Sequence, residues 1–288
     1  MDLKPVYKPE HRIIINEFIR TKFQETGVGG VILGLSGGLD SAVVAALATE
    51  VIGKDKVHCI LMPYDEEQDK EAIEDGLKMV KAFGLDHQII SIKDSVDTIS
   101  EVAGFSDIQK KVNMTALGNV RARTRMVMLY YLANLNNYLV LGTSNKSELL
   151  VGYFTKYGDG GSDAAPIGDL YKTQVYELAK ELGIPESIRT KPPTAGLVSG
   201  QTDEKDLGLS YAELDQILKG LELWLCLEDI SRYTKIPLST VTRIQAMVHR
   251  SAHKRFLGMI PKIGIRTPGL DWRENVSLLS LFHEPLDG

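Results

Sequence analysis

Apolar positions along this chain follow two periods that alternate from the amino terminus to about residue 142. Short apolar runs at 31–33, 57–62, 87–91 and 138–142, bounded by glycine, proline or polar residues, read as strands. Between them, residues 11–22, 66–83, 93–102 and 114–135 place apolar side chains at helical spacing. The stretch 42–48, Ala-Val-Val-Ala-Ala-Leu-Ala, is apolar all round and continues the helical series behind the first strand. Strands alternating with helices predict an α/β fold, a doubly wound parallel sheet with right-handed crossovers and helices on both faces. In such sheets ligands sit beyond the carboxyl ends of the strands, where the strand order reverses. The turn after the first strand and Gly142-Thr143 after the fourth both fall on that edge, which makes a shared site the expectation.

Past residue 150 the pattern changes. Residues 151–169 hold many glycines and no clear period, and 171–182 is helical. Pro185, Pro192 and Pro193 bracket a turn-rich piece, and 199–207 is polar and mobile in appearance. Helices are expected at 211–218, 225–233 and 238–250. With no internal repeat and no low-complexity tract, the helical carboxyl third reads as an extension of a single domain spanning 1–288.

Composition narrows the function. The 288 residues are 43% hydrophobic and 25% charged, an ordinary globular mixture. A formal net charge of −5 argues against a broad nucleic-acid footprint but leaves room for a local basic pocket. Cys59 and Cys226 lack metal-ligand spacing, read as buried small residues, and argue against disulfide use. No secretory signal or long uncharged apolar run stands out, so the expected location is cytoplasmic.

The richest segment is Gly34-Leu35-Ser36-Gly37-Gly38-Leu39-Asp40-Ser41. Its place between strand and helix lets glycine amides and the free N–H groups of the helix point into one concavity, a cradle for phosphate. Ser36 and Ser41 can add hydroxyl donors, and Asp40 puts a carboxylate where magnesium could bridge to the same phosphates. Helix capping by Asp and Ser explains part of this string, but the full SGGLDS sequence is rarer by chance. Neither the Lys-Ser/Thr ending of the best-known phosphate loop nor the dinucleotide glycine spacing is present. The string resembles the PP-loop of the ATP pyrophosphatases, which cleave ATP to AMP and pyrophosphate. The loop alone therefore gives a reaction type and no substrate.

A second constellation lies downstream in Gly142-Thr143-Ser144-Asn145-Lys146-Ser147-Glu148 and the loop that follows. Glu148, read on a polar turn facing the cradle, could supply a second carboxylate for magnesium. Taken with SGGLDS, several motifs occur in order over most of the chain: Asn119 to Arg125 (NVRARTR), FTKYGDGG at 154–161, Leu170-Tyr171-Lys172, Pro193-Thr194-Ala195 and His253-Lys254-Arg255. With them the sequence resembles the NAD synthetases, in their short, ammonia-using form, since no glutaminase-like segment is evident. The resemblance implies an adenine nucleotide alpha-hydrolase-like fold and ATP-dependent amidation of deamido-NAD. It implies that the turn 34–41, Thr143, Lys172 and Thr194 contact ATP, with Asp40 and Glu148 on magnesium. It further implies that Arg123, Lys156, Asp163, His253 and Lys254 contact deamido-NAD, that Asp40 and Lys172 carry the chemistry, and that the enzyme is a homodimer.

Bland readings stand beside these. Arg121, Arg123 and Arg125 cannot all face one ligand from one helix, so Arg121 and Arg125 stay open. His253, Lys254 and Arg255 also complement a helix dipole. Asp159 reads as a turn former, Asp203 and Glu204 as part of a solvated loop able to close over ATP, and Trp224 and Trp272 as packing residues. Two rival functions are an RNA-modifying pyrophosphatase, which would need a basic face, and a nucleotide sensor without chemistry.

Overall fold

Four strands, β1 (Gly30–Gly34), β2 (Val57–Leu61), β3 (Asp86–Ile89) and β4 (Tyr138–Val140), pair in parallel in the order β3-β2-β1-β4. The computed structural model describes residues 1–104, 113–194 and 202–265. The chain runs outward from β1 to β3 and then returns to the other side of β1, so the strand order reverses between β1 and β4. Alternation along β1 divides the core into two layers. Val31 and Leu33 pack with α1 (Pro9–Thr26) and α2 (Leu39–Ile52), while Ile32 faces α4 (Lys93–Val102) and α5 (Met114–Asn136). The expected doubly wound α/β sheet is what forms.

The apolar stretch 42–48 is buried on every side of α2, between the sheet, α1 and α7 (Lys172–Glu181). That burial fixes the direction of α2, and its amino terminus is the glycine turn. α3 (Lys70–Phe83) begins four residues later than the periodicity of 66–83 suggests. Asp69 accepts from the amides of Tyr64 and Asp65, and Asp65 from those of Glu67 and Gln68. These side-chain bonds hold the segment in turns and compete with the helix. β4 stops at Val140, short of the predicted Gly142, because Leu141 bridges to Ala164 and the Gly142 amide donates to Ala164 O at 2.8 Å.

A short helix, α6 (Lys146–Val151), stands where a polar turn was expected. Then come α8 (Glu186–Arg189), α9 (Asp203–Leu207), α10 (Tyr211–Glu222), α11 (Leu227–Thr234) and α12 (Leu238–Arg250). Leu214, Ile217 and Leu218 of α10, Ile230 of α11 and Val241 and Ile244 of α12 form a second apolar cluster that includes Val151 and Tyr171. The carboxyl-terminal helices are thereby packed onto α6 and α7, which carry Glu148 and Lys172.

Two packing expectations need correction, those for Trp224 and Cys226. Trp224 is 94% exposed at a turn where its φ is 57°, so it is not a packing residue. Trp272 lies outside the described residues. Cys59 is buried, which pushes its thiol up to about 12, whereas Cys226 is exposed at the start of α11.

Candidate active site

The site begins with the turn between β1 and α2. Gly37 has φ 76°, and a side chain there would overlap the Ala72 carbonyl, so both conformation and space require glycine. The two serines brace the turn from within. Ser41 Oγ donates to Gly38 O at 3.0 Å and accepts from Ser36 N at 3.2 Å, and Ser36 Oγ accepts from Gly38 N at 3.3 Å. The hydroxyl of Ser41, expected as a phosphate donor, is thus occupied with the turn's own backbone and buried. Among the described residues, the amides of Gly37, Leu39 and Asp40 keep no protein acceptor, as the first residues of a helix must. They are left open toward the cavity as donors for a ligand.

Asp40, one residue into α2, meets two groups from distant parts of the chain. Its Oδ1 accepts from Asn145 Nδ2 at 3.0 Å and its Oδ2 from Lys172 Nζ. Lys172 Nζ also lies 3.4 Å from Glu148 Oε1, so the ammonium bridges both carboxylates. Glu148 sits in the first turn of α6, not on a free turn. Asn145 Oδ1 accepts the Glu148 amide at 3.1 Å, and Glu148 Oε2 accepts the Asn145 amide at 3.4 Å, a reciprocal cap. The Asn-x-x-Glu spacing at 145–148 is the sequence signal for this helix, and Asn145 is a site residue that motif reading passed over.

Burial, helped by the charges of Asp40 and Asp203, pushes the Glu148 carboxyl well above the usual range against the pull of Lys172. Burial opposes the charge of Lys172 too, but Asp40 and Glu148 outweigh it and hold its pKa above that of an ordinary lysine. Lys172 is 2% exposed, and its ammonium lies 5.3 Å from the ring centroid of Tyr211. Asp203, expected in a solvated loop, is instead buried at the start of α9 and accepts from Tyr211 OH at 3.0 Å. Part of the polar stretch 199–207 is therefore helical wall, while 199–201 and Ala195 lie outside the described residues.

These groups line a cavity of about 550 Å³ at the carboxyl edge of the sheet, beside the reversal between β1 and β4. Residues 34–41, Thr143, Glu148, Lys172, Thr194 and Lys254 all form its wall. The other predicted substrate contacts lie just outside it. Arg123 Nε donates to Lys156 O at 3.2 Å, and Lys156 Nζ donates to His253 O at 2.9 Å, so these three form a chain beside the cavity. Lys254 Nζ donates to Gly152 O and Phe154 O at 2.7 and 2.8 Å, tying the loop after α6 to the end of α12. Asp163 stands apart, its two oxygens accepting from Tyr130 OH and the Val140 amide at 2.9 and 2.8 Å. Asp159 forms the turn expected of it by accepting the Thr155 amide at 2.8 Å. Of the two open arginines, Arg121 is buried with its guanidinium 3.6 Å from the Tyr64 ring centroid. Arg125 lines the cavity with Nε donating to Met62 O at 3.0 Å.

Among the described residues, no three His, Cys, Asp or Glu side chains converge as an all-protein metal cage. Two carboxylates beside a phosphate cradle are a different donor set, one that suits a magnesium ion whose remaining ligands come from nucleotide and water.

Comparison with known proteins agrees with this geometry. The NAD synthase family model matches residues 13–258. NH(3)-dependent NAD(+) synthetases from Thermococcus sibiricus and Pyrococcus horikoshii are 47% and 48% identical, over 85% and 86% of this chain and 94% and 92% of theirs. The NMN synthetase of Francisella tularensis superposes with a TM-score of 0.76 at 32% identity, covering 90% of this chain and 100% of that one. The NH3-dependent NAD synthetase of Campylobacter jejuni, in complex with the nitrate ion, does so at 0.71 and 32%, covering 92% and 99%. With a glycine turn, a convergent carboxylate pair and a family match over 13–258, this chain belongs to the NAD synthase family.

Proposed function

We propose that this protein amidates deamido-NAD with ammonia at the expense of ATP, giving NAD, AMP and pyrophosphate through an adenylated intermediate. The observation that carries this reading is the meeting of Asp40, Glu148 and Lys172 beneath the open amides of the 34–41 turn in one cavity. The pyridine carboxylate of the substrate attacks the α-phosphate of ATP and expels pyrophosphate. Ammonia then attacks the mixed anhydride, AMP leaves, and a proton is released. A carboxylate is already a nucleophile, so no Ser-His-Asp arrangement is needed. The protein's task is alignment and the offsetting of charge that grows toward the departing pyrophosphate.

Residues 34–41 take the β- and γ-phosphates on their free amides, with Thr143 and Thr194 on the walls beside the nucleotide. Lys172 is a buried cation fixed at the carboxylates, able to meet phosphate as a point charge. Asp40 and Glu148 would hold a magnesium ion, whose chemistry when bound is to offset phosphate charge and favour the leaving group. Lys254 reaches the cavity from the loop side, and the chain of Arg123, Lys156 and His253 extends the polar surface outward toward the dinucleotide, with Asp163 apart from it on Tyr130 and Val140.

The single-domain organisation over 1–288 is supported by the packing of the carboxyl-terminal helices on α6 and α7. A homodimer is supported by α5, where Val127, Tyr131 and Leu135 are 60%, 60% and 63% exposed in one stripe with Arg123. With that stripe as the interface, the outer substrate contacts would stand near the subunit boundary. No helix among the described residues is long and apolar enough to cross a membrane. The cytoplasmic location proposed for the protein rests on its kinship with the NAD synthase family.

The likeness to the Francisella enzyme favours one alternative, the same amidation on a mononucleotide. Incubation with ATP, magnesium and ammonia, with deamido-NAD or its mononucleotide counterpart in parallel, decides between them. AMP and NAD should appear together from the dinucleotide. AMP without an amide product, or product from the mononucleotide alone, overturns the reading.

A further inference from the structure

Lys172 and Thr173 open α7, so their amides have no acceptor within the helix. The side chain of Tyr171 at the helix start does not cap them. Both are satisfied from elsewhere: Lys172 N donates to Ser147 Oγ at 2.9 Å, and Thr173 N donates to Asp215 Oδ2 at 2.8 Å. Ser147 Oγ in turn donates to Asp215 Oδ1 at 2.5 Å. Ser147 immediately precedes Glu148 on α6. One carboxylate on α10 therefore reaches the helix of Lys172 directly and the helix of Glu148 through a single hydroxyl.

Asp215 is fully buried, and among the described residues no cation lies within ion-pair distance of it. Burial raises its pKa, while the bonds from Ser147 and Thr173 pull the other way. Its immediate neighbours on α10, Leu214, Ile217 and Leu218, already fill the apolar cluster. A leucine at 215 would pack there without the cost of desolvating a carboxylate, so packing alone does not account for the residue. What the carboxylate adds is a cap supplied in trans, aided by the positive end of the α7 dipole. One turn earlier on the same helix, Tyr211 lies under the Lys172 ammonium and holds Asp203.

We infer that Asp215 is a positioning residue for the amidation: it locks α6 and α7 in register so that Glu148 and Lys172 meet Asp40. This rests on the function proposed above. Asp215 touches no part of the cavity, so its removal acts through other residues.

Three variants test it: Asp215→Ala, Asp215→Asn and Ser147→Ala. In Asp215→Ala, kcat should fall at least about tenfold, since small misplacements of aligned groups are that costly. KM for deamido-NAD should stay within about twofold, because no substrate contact is lost. Asp215→Asn keeps an acceptor for Thr173 and a partner for Ser147 and should recover most of the rate. Ser147→Ala should cost a similar factor, and the double variant no more than the larger single one. Hydrogen exchange at the Lys172 and Thr173 amides should quicken at least about tenfold in Asp215→Ala while β1 amides stay protected.

Faster exchange with unchanged kcat would make the clamp merely structural and overturn the inference. So would equal losses in Asp215→Asn and Asp215→Ala. If Asp215→Ala does not fold, Asp215→Asn and Ser147→Ala decide it, and wild-type kcat in Ser147→Ala overturns it. A wild-type chain that makes no NAD strikes the functional reading instead, and the exchange measurement still decides whether Asp215 holds the α7 amides.

Discussion

Asn145 Nδ2 donates to Asp40 Oδ1 at 3.0 Å, across 105 positions of sequence. The same side chain caps α6 through its oxygen, so one buried amide orients Asp40 and starts the helix that carries Glu148. Asn145→Ala should lose about 1 kcal/mol of stability from the cap and about tenfold in kcat from the freed carboxylate. Asn145→Ser keeps a capping oxygen but no donor long enough for Asp40. Urea unfolding should therefore show stability recovered in the serine variant while steady-state turnover stays low; recovery of both would refute the double role.

Removal of either carboxylate should stop the chemistry without unfolding the protein. Asp40→Ala and Glu148→Ala are each expected to lower kcat by roughly two orders of magnitude or more, in a protein that still folds although buried Lys172 keeps only one of its two acids. Near-normal turnover of both variants at limiting magnesium would exclude the proposed metal roles.

Lys172 is a different case, because it is the cation between two acids. Its side chain is 3% exposed and those of Asp40 and Glu148 are 16% exposed each. Lys172→Met leaves the pair uncompensated, and breaking a buried ion pair from one side costs about 3 kcal/mol. Loss of stability together with loss of turnover is expected, and adding Glu148→Gln should restore part of the stability and none of the rate. An unaltered unfolding midpoint in Lys172→Met would show that the ion pair contributes little.

Gly37→Ala forces a side chain into positive φ and against the Ala72 carbonyl. The turn must then shift, at about 1–3 kcal/mol, and the open amides move with it. Binding of ATP, followed by calorimetry, should weaken at least about tenfold, more than binding of deamido-NAD.

Acid sensitivity should trace partly to Glu222. Burial alone would raise its carboxyl, but bonds from Lys146, Lys219 and Tyr171 outweigh that and hold it at about 2. An unfolded glutamate titrates near about 4.3. The folded value is the lower, so this network favours folding fully above that pH and progressively less as pH falls toward the folded value. The stability difference between wild type and Glu222→Gln should be widest near neutral pH and narrow below about pH 4. A difference that grows on acidification would reverse the sign of the argument.

Local pattern was enough for much of the fold. α4 and α12 begin and end where periodicity puts them, because their apolar faces and flanking residues are all local. α3 and β4 end differently for reasons that periodicity does not carry: carboxylate-to-amide bonds at Asp65 and Asp69, and a bridge from Leu141 to Ala164. At the site, SGGLDS announced the cradle, but Ser41 faces its own turn, which only the closed loop reveals. Asp203 read as solvent-facing from its polar neighbours and is buried because Tyr211 reaches it from another helix.

By itself, the sequence determined the parallel α/β sheet and the glycine turn at the end of its first strand, and it named the two acids and the lysine that the structure brings together beside that turn. Hydrophobic period and glycine placement are properties of neighbouring residues, and they suffice for that. Only the tertiary structure decided that Lys172, 132 positions from Asp40, would stand between Asp40 and Glu148, and that Asp215 on a far helix would hold both supporting helices in place. Those contacts join residues with no local relationship, and they exist because α7 packs on α2 while the carboxyl-terminal helices pack against α6 and α7, which brings their buried polar groups within hydrogen-bond reach.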